Sequence, residues 1–202
     1  MLFRSDDKSV RLWTVSALGV VVADATKVHD LELLPDGTHF VTAGEDTVVK
    51  LWDAAGKLVR SFGGNAAAVA HVSISDDGKQ IAAGGDPLFA QKNVLVWNTA
   101  DAKLLQNIPT PAGVTALQFS ADGHLAVGGA DKHLRVYSAA DARLLQDITS
   151  TAVLSDVHFI PGEPTILAAA ADNNSYLLDY SLRQLLTGHT GAVTGVAFTQ
   201  DG

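Results

Sequence analysis

Histidines and carboxylates lying close together in a chain are the first candidates for metal binding or acid–base catalysis, and seven histidines among 22 acidic residues supply several. His29 and Glu32 are three residues apart, but in an extended strand such residues face opposite sides and do not chelate together. His71 and His158 occupy first-strand positions, where a hydrogen-bonded histidine is commoner than a ligand. His124 and His133 belong to different strands and lack the short two-ligand spacing of a zinc site. The acidic pairs Asp6-Asp7 and Asp76-Asp77 sit in turn sequences open to water, with no burial to lift a carboxylate towards catalytic use. There is no Cys, which excludes disulfides, thiolate ligands and thiol nucleophiles together. Gly-x-Ser-x-Gly, a Gly-rich phosphate loop and a dinucleotide fingerprint are absent too, and Gly84-Gly85 and Gly128-Gly129 suit turns. Asn173-Asn174-Ser175 fits a glycosylation sequon, but no export signal accompanies it. The sequence therefore predicts no catalytic residue, no metal and no cofactor.

The elements that would position these residues follow from composition and repetition. The 202 residues suffice for one domain, or slightly more, and 47% hydrophobic against 18% charged residues supports a packed core. Lys plus Arg is 14 against 22 acidic residues, a net charge of −8. The basic residues are scattered, so neither nucleic acid nor an anionic membrane is an expected partner. The longest apolar stretches, around residues 15–23 and 166–171, fall well short of the roughly 18 residues of a membrane span. Leu2-Phe3-Arg4-Ser5-Asp6-Asp7 is not a signal-peptide start, which leaves the cytoplasm as the default compartment.

A repeat runs through the whole chain. Asp46-Thr-Val-Val-Lys-Leu-Trp52 matches Asp7 to Trp13 and Asp131 to Tyr137, each running from Asp to an aromatic six residues later. Asp172 to Leu178 keeps the spacing, and Asp86 to Trp97 carries five extra residues, Pro87-Leu88-Phe89-Ala90-Gln91. The markers at 13, 52, 97, 137 and 178 are spaced 39, 45, 40 and 41 residues apart. A second marker recurs as Pro35-Asp36-Gly37, Asp76-Asp77-Gly78, Ala121-Asp122-Gly123 and Gln200-Asp201-Gly202, with Pro161-Gly162 degenerate. In these turns Asp bonds nearby backbone and Gly supplies positive φ. Short apolar or alternating runs such as 69–74, 94–97 and 103–108 lie between them, giving four short strands per unit.

A period near 40 with four strands per unit is the signature of a propeller blade. Ala43-Gly44-Glu45-Asp46-Thr47-Val48-Val49-Lys50-Leu51-Trp52-Asp53 and Gly188-His189-Thr190-Gly191-Ala192-Val193 resemble the WD-repeat (WD40) family. The resemblance implies an all-β propeller of about five four-stranded blades, either a closed five-blade ring or an arc of a longer propeller. As one domain over 1–202, its blades would span approximately 28–62, 69–108, 113–148 and 153–187, with a shared blade made from 1–22 plus 189–202. It also implies a structural tetrad in each blade, formed by Trp, a turn Asp, a strand Ser or Thr and a His. Carried onto this chain, the tetrad-like positions are Asp7, Trp13, Thr42, Asp46, Trp52, Asp86, Trp97, Asp131, Tyr137, Asp172 and His189. The pattern is eroded: Asp24 and Asn65 stand at His positions, Ala82 at the Ser position of the third repeat, and Tyr137 and Leu178 replace Trp.

The resemblance supplies a non-catalytic interaction scaffold for a protein or peptide partner on the loop face. The alternatives are a structural or sensory segment of a larger multidomain protein, with extra blades or domains from a longer parent chain, and a propeller enzyme or cofactor carrier. The insertion in the third repeat marks Leu88, Phe89, Gln91 and Lys92 as the candidate partner-binding residues, because exposed apolar residues on a scaffolded loop are what binding surfaces use. Leu88 and Phe89 folded back over a neighbouring blade is the competing expectation. Lys57, Lys103, Arg143 and Arg183 recur after the marker residues, as expected of a solvated position repeated at one hairpin.

Overall fold

The structure is a computed structural model that describes residues 26–85 and 92–181, together with the backbone of the strands β1 (Leu2–Phe3), β2 (Val10–Trp13) and β3 (Leu18–Val21). Among the described residues there are strands and turns and no helix. The strands form five separate antiparallel sheets, each built from consecutive strands. Sheet A is β1–β3. Sheet B is β4 (Val28–Leu33), β5 (His39–Gly44), β6 (Val49–Asp53) and β7 (Leu58–Phe62). Sheet C is β8 (Val69–Ile74), β9 (Gln80–Gly85), β10 (Asn93–Asn98) and β11 (Leu104–Pro109). Sheet D is β12 (Val114–Phe119), β13 (His124–Gly129), β14 (His133–Ser138) and β15 (Leu144–Thr149). Sheet E is β16 (Leu154–Phe159), β17 (Thr165–Ala170) and β18 (Ser175–Asp179).

The sequence repeat is reproduced in backbone detail. The first strand of sheets B to E bulges at its second residue, between Val28 and Asp30, Val69 and His71, Val114 and Ala116, and Leu154 and Asp156. A second bulge recurs where the fourth strand pairs the marker aromatic, at Leu51/Trp52, Val96/Trp97 and Val136/Tyr137. Bulges increase local twist, which suits sheets fanned about an axis. The first bulge also changes the alternation of β4, so that Asp30 and Glu32 both reach the neighbouring β8.

Apolar side chains pack between sheets, so the core is a series of seams. Val41, Leu51 and Phe62 of sheet B meet Val69 and Val72 of sheet C. Val94 and Val96 of sheet C meet Val114 and Phe119 of sheet D, and Leu134 and Val136 of sheet D meet Leu154 and Val157 of sheet E. Each fully buried Val or Leu contributes roughly 1.5–3 kcal/mol. The middle positions of β9 and β13 are buried on both faces, which explains their small or β-branched residues, Ala82, Ala83, Ala126 and Val127.

Alternating strand direction puts the β4–β5 and β6–β7 turns at one end of the sheet. The β5–β6 turn and the β7–β8 connection lie at the other end, and the same holds in sheets C and D. The shared blade expected from 1–22 plus 189–202 falls on residues outside the described set, apart from the backbone of β1–β3.

Candidate functional site

The marker residues sit at the second hairpin of each sheet. The Trp52 indole N–H donates to the Thr42 hydroxyl at 3.0 Å, and its ring stacks on Phe40 at 6.5 Å between centroids. Strand register aligns Thr42 with Ala83, since Phe40 pairs Trp52 and Ile81 pairs Trp97. This corrects the sequence alignment, which placed Ala82 there. With a methyl at that position, the Trp97 indole N–H donates to the Gly63 carbonyl at 3.2 Å. Asn65 donates to the Thr47 carbonyl at 3.1 Å, which ties the connection before β8 to the β5–β6 turn.

The turn aspartates share a second pattern that the sequence reading missed. Each pairs with a residue four positions later: Asp46 with Lys50, Asp131 with Arg135, and Asp172 with the Tyr176 hydroxyl at 2.5 Å. Arg135 is buried, grips Asp131 through two nitrogens at 2.7 and 3.2 Å, and reaches Asp147 at 3.3 Å. That guanidinium fork holds the Asp131 carboxyl below its usual range. Tyr137 is buried beside it. Asp7, Asp86, His189 and the side chain of Trp13 lie outside the described residues.

Two polar ladders cross from sheet B to C, from C to D and from D to E. On the first strands, the Glu32 carboxylate accepts the Ile74 N–H at 2.9 Å, the Ser73 hydroxyl oxygen accepts the Phe119 N–H at 3.0 Å, and the Gln118 amide oxygen accepts the Phe159 N–H at 2.7 Å. These acceptors all occupy the fifth residue of their strand and the donors the sixth. On the outer strands, Arg60 donates to the Thr99 carbonyl at 2.9 Å, Gln106 to Ala139 at 2.7 Å and Gln146 to Ser181 at 3.1 Å. Sheets B, C and D thus each offer an acceptor on the first strand and a donor on the fourth, and the two together fix the angle to the following sheet.

The sequence model of the family described as WD domain, G-beta repeat matches residues 18–53, 56–98, 102–138 and 180–202, more than half of the chain. The chain belongs to the WD-repeat family. A comparison with curated proteins returned no match. The four-stranded antiparallel sheets are WD blades, and WD repeats generally mediate protein–protein interaction.

On these WD blades, grooves open between neighbours at the Asp-Gly turn end. One of about 520 Å³ runs between sheets C and D, bounded by Asp76, Asp77 and Asp122, with Phe119 and Ala139 among its lining residues. Another of about 520 Å³ lies between sheets B and C beside Asp36, His39 and Arg60. The carboxylates here cap turns. Asp36 accepts the N–H groups of Thr38 and His39 and pairs the His39 ring at 2.7 Å, which pulls its pKa down to about 2. Lys57, Lys103 and Arg143 are exposed at the adjoining hairpins, and Arg183 lies outside the described residues.

The opposite end carries the insertion. The connection from β9 to β10 spans 86–92, where the corresponding connections span 45–48, 130–132 and 171–174. Leu88, Phe89 and Gln91 lie outside the described residues, whereas Lys92 is exposed and its carbonyl accepts the Thr110 N–H at 3.0 Å. That bond sets the base of the insertion beside Pro109 and Pro111, which line a groove of about 430 Å³ with Tyr137 and Leu144.

The histidines are separated. His29 faces Glu45 at 3.8 Å, His71 lies 3.9 Å from Asp30, His133 pairs Asp147 at 2.6 Å and His158 takes the Gln118 amide at 2.9 Å. Among the described residues no group of three or more His, Asp or Glu is placed to hold a metal ion. Glu32 is a carboxylate whose burial the sequence did not reveal. Burial between β4 and β8, with Asp30 and Asp76 adding repulsion, pushes its pKa up to about 7 against the opposing bonds from Ile74 N–H and Ser73.

Proposed function

We propose that this WD-repeat chain is a non-catalytic scaffold that binds a protein or peptide partner at the end of the blades carrying the 86–92 connection, with Leu88, Phe89, Gln91 and Lys92 as contacts. The observation that supports it most is the length of that connection in a series of otherwise tight turns, together with its anchoring through Lys92 next to an apolar-lined groove. A loop held by rigid strands presents apolar side chains with little ordering cost on binding. The polar markers favour the same reading: their side chains bond one another or backbone, and they recur with one role per blade, whereas catalysis needs dissimilar groups converging on one point.

The test compares the wild-type chain with a Leu88→Ser/Phe89→Ser double variant, reading thermal stability and quantitative recovery of co-purifying partners side by side. Unchanged stability with partners lost is the expected result. Lost stability with partners retained overturns the assignment and returns both side chains to a packing role.

A further inference from the structure

Arg60 on β7 pairs Leu51 across the ladder, as Gln106 pairs Val96 and Gln146 pairs Val136 in the next two sheets. All three side chains donate to a carbonyl of the following sheet, so a neutral amide is enough for that bond. Arg60 brings in addition a positive charge and N–H donors that the ladder does not use. Among the described residues its contact is the Thr99 carbonyl, and no carboxylate lies within ion-pair distance of it, whereas Arg135 holds Asp131 and Asp147.

The surplus donors belong to a groove. Arg60 lines the cleft of about 520 Å³ between sheets B and C, at the Asp-Gly turn end. The other charges on its walls are matched: Asp36 pairs the His39 ring at 2.7 Å, and Lys79 Nζ lies 3.1 Å from Asp77. Thr99 lines the same groove. It is 8% exposed, and its hydroxyl has no hydrogen-bond partner among the described residues; Ala139, which takes its place in the next sheet as acceptor of the outer ladder, is equally buried and carries no hydroxyl. A buried hydroxyl left unpaired costs free energy that a ligand's acceptor would recover. Beside it, the Asn98 side-chain oxygen accepts the Ala100 N–H at 2.8 Å, which leaves its amide donors over. Leu51 and Val59 supply apolar wall, and Val59 is 44% exposed.

Unmatched donors around one guanidinium call for an anion. A singly charged carboxylate fits, whereas a phosphate dianion is held by clustered arginines and would here share the groove with Asp36. We propose that this groove binds an acidic peptide of a partner protein, with a Glu or Asp side-chain carboxylate pairing Arg60 and accepting the Thr99 hydroxyl, and a neighbouring aliphatic side chain lying on Val59. The site is at the opposite end of the blades from the 86–92 connection and does not rest on the partner assigned there.

The test titrates a capped peptide with one Glu between two Leu residues into the full 202-residue chain, followed by NMR, with thermal unfolding alongside. The Arg60 Nε–H and Thr99 amide signals shift and saturate. Gln in place of the peptide's Glu weakens binding about tenfold or more. Arg60→Gln, which keeps the ladder donor found in Gln106 and Gln146, weakens it about as much and leaves Tm within about 2–3 °C of the wild type. Thr99→Ala weakens it about threefold or more, and Thr99→Ser retains binding. No saturating shift at Arg60 and Thr99, equal affinity for the Gln peptide, or affinity that survives Arg60→Gln overturns the site. Shifts centred on Lys92 place the peptide at the other end of the blades and overturn it as well. Tighter binding of a phosphoserine analogue, or of an uncapped peptide whose terminal carboxylate replaces the Glu, overturns the assignment to a side-chain carboxylate.

Discussion

The Glu32 carboxylate accepts the Ile74 N–H across the seam between sheets B and C, at the place where the next two seams use Ser73 and Gln118. A group that can ionise thus sits where neutral acceptors suffice. Its pKa is about 7 in the fold against an ordinary 4.5, so the folded chain binds this proton more tightly than the unfolded chain. Stability from this group is complete below about pH 4.5 and falls as pH rises through 7. With allowance for partial exposure, the loss amounts to about 1–3 kcal/mol. Glu32→Gln places at this seam the residue found at 118; denaturant unfolding at pH 5 and pH 8 should show the variant gaining on the wild type only at the higher pH.

Gly84 meets Val114 at the seam between sheets C and D, where a Cβ at residue 84 would lie 2.7 Å from Val114 Cβ and Cγ1. Those atoms are rooted in the β12 backbone and cannot swing aside. Gly84→Ala is expected to destabilise by about 1–3 kcal/mol through overpacking. Val114→Ala alone should also destabilise, by leaving a cavity. The combination should cost less than the sum of the two, and a double-mutant cycle in urea measures that coupling.

How much of this was legible in the sequence depended on the range of the signal. The blades could be read because Asp-Gly turns and alternating runs are local, and the strands at 69–74 and 94–97 follow directly from them. The turn aspartates were legible as positions but not as pairs: the Asp-to-Lys50, Asp-to-Arg135 and Asp-to-Tyr176 contacts need the hairpin twist that brings residues four apart together. Glu32 was missed for a related reason. A single bulge at the start of β4 sets which of its residues face the seam, and no residue in the run 28–33 announces a bulge. The ladder through Glu32, Ser73 and Gln118 was hidden because three chemically different side chains fill one role, so similarity searching by residue type passes over it.

Thr47 follows Asp46 in the β5–β6 turn with φ of 66°, and Lys132 and Asn173 hold the same turn place at 66° and 65°. A β-branched residue pays for left-handed backbone through its Cβ, whereas Asn tolerates it. Only the Thr47 backbone carbonyl accepts from Asn65, so that bond survives a change of side chain. Thr47→Asn is expected to stabilise by about 0.5–1 kcal/mol, seen as a rise in Tm of a few degrees. Thr47→Val should bring no gain, which separates backbone relief from polarity.

Arg135 is the buried cation of the described residues in sheet D, satisfied by Asp131 and Asp147. Removing one carboxylate leaves a desolvated charge with half its partners, and such losses run to about 2–4 kcal/mol. Asp131→Ala is therefore expected to be far more harmful than removal of an exposed turn aspartate such as Asp76. Arg135→Leu in the Asp131→Ala background should recover part of the loss, because no unpaired charge then remains in the seam; unfolding midpoints of the single and double variants decide this. Arg135→Lys should not match the wild type, since an ammonium cannot span both Asp131 oxygens while also reaching Asp147.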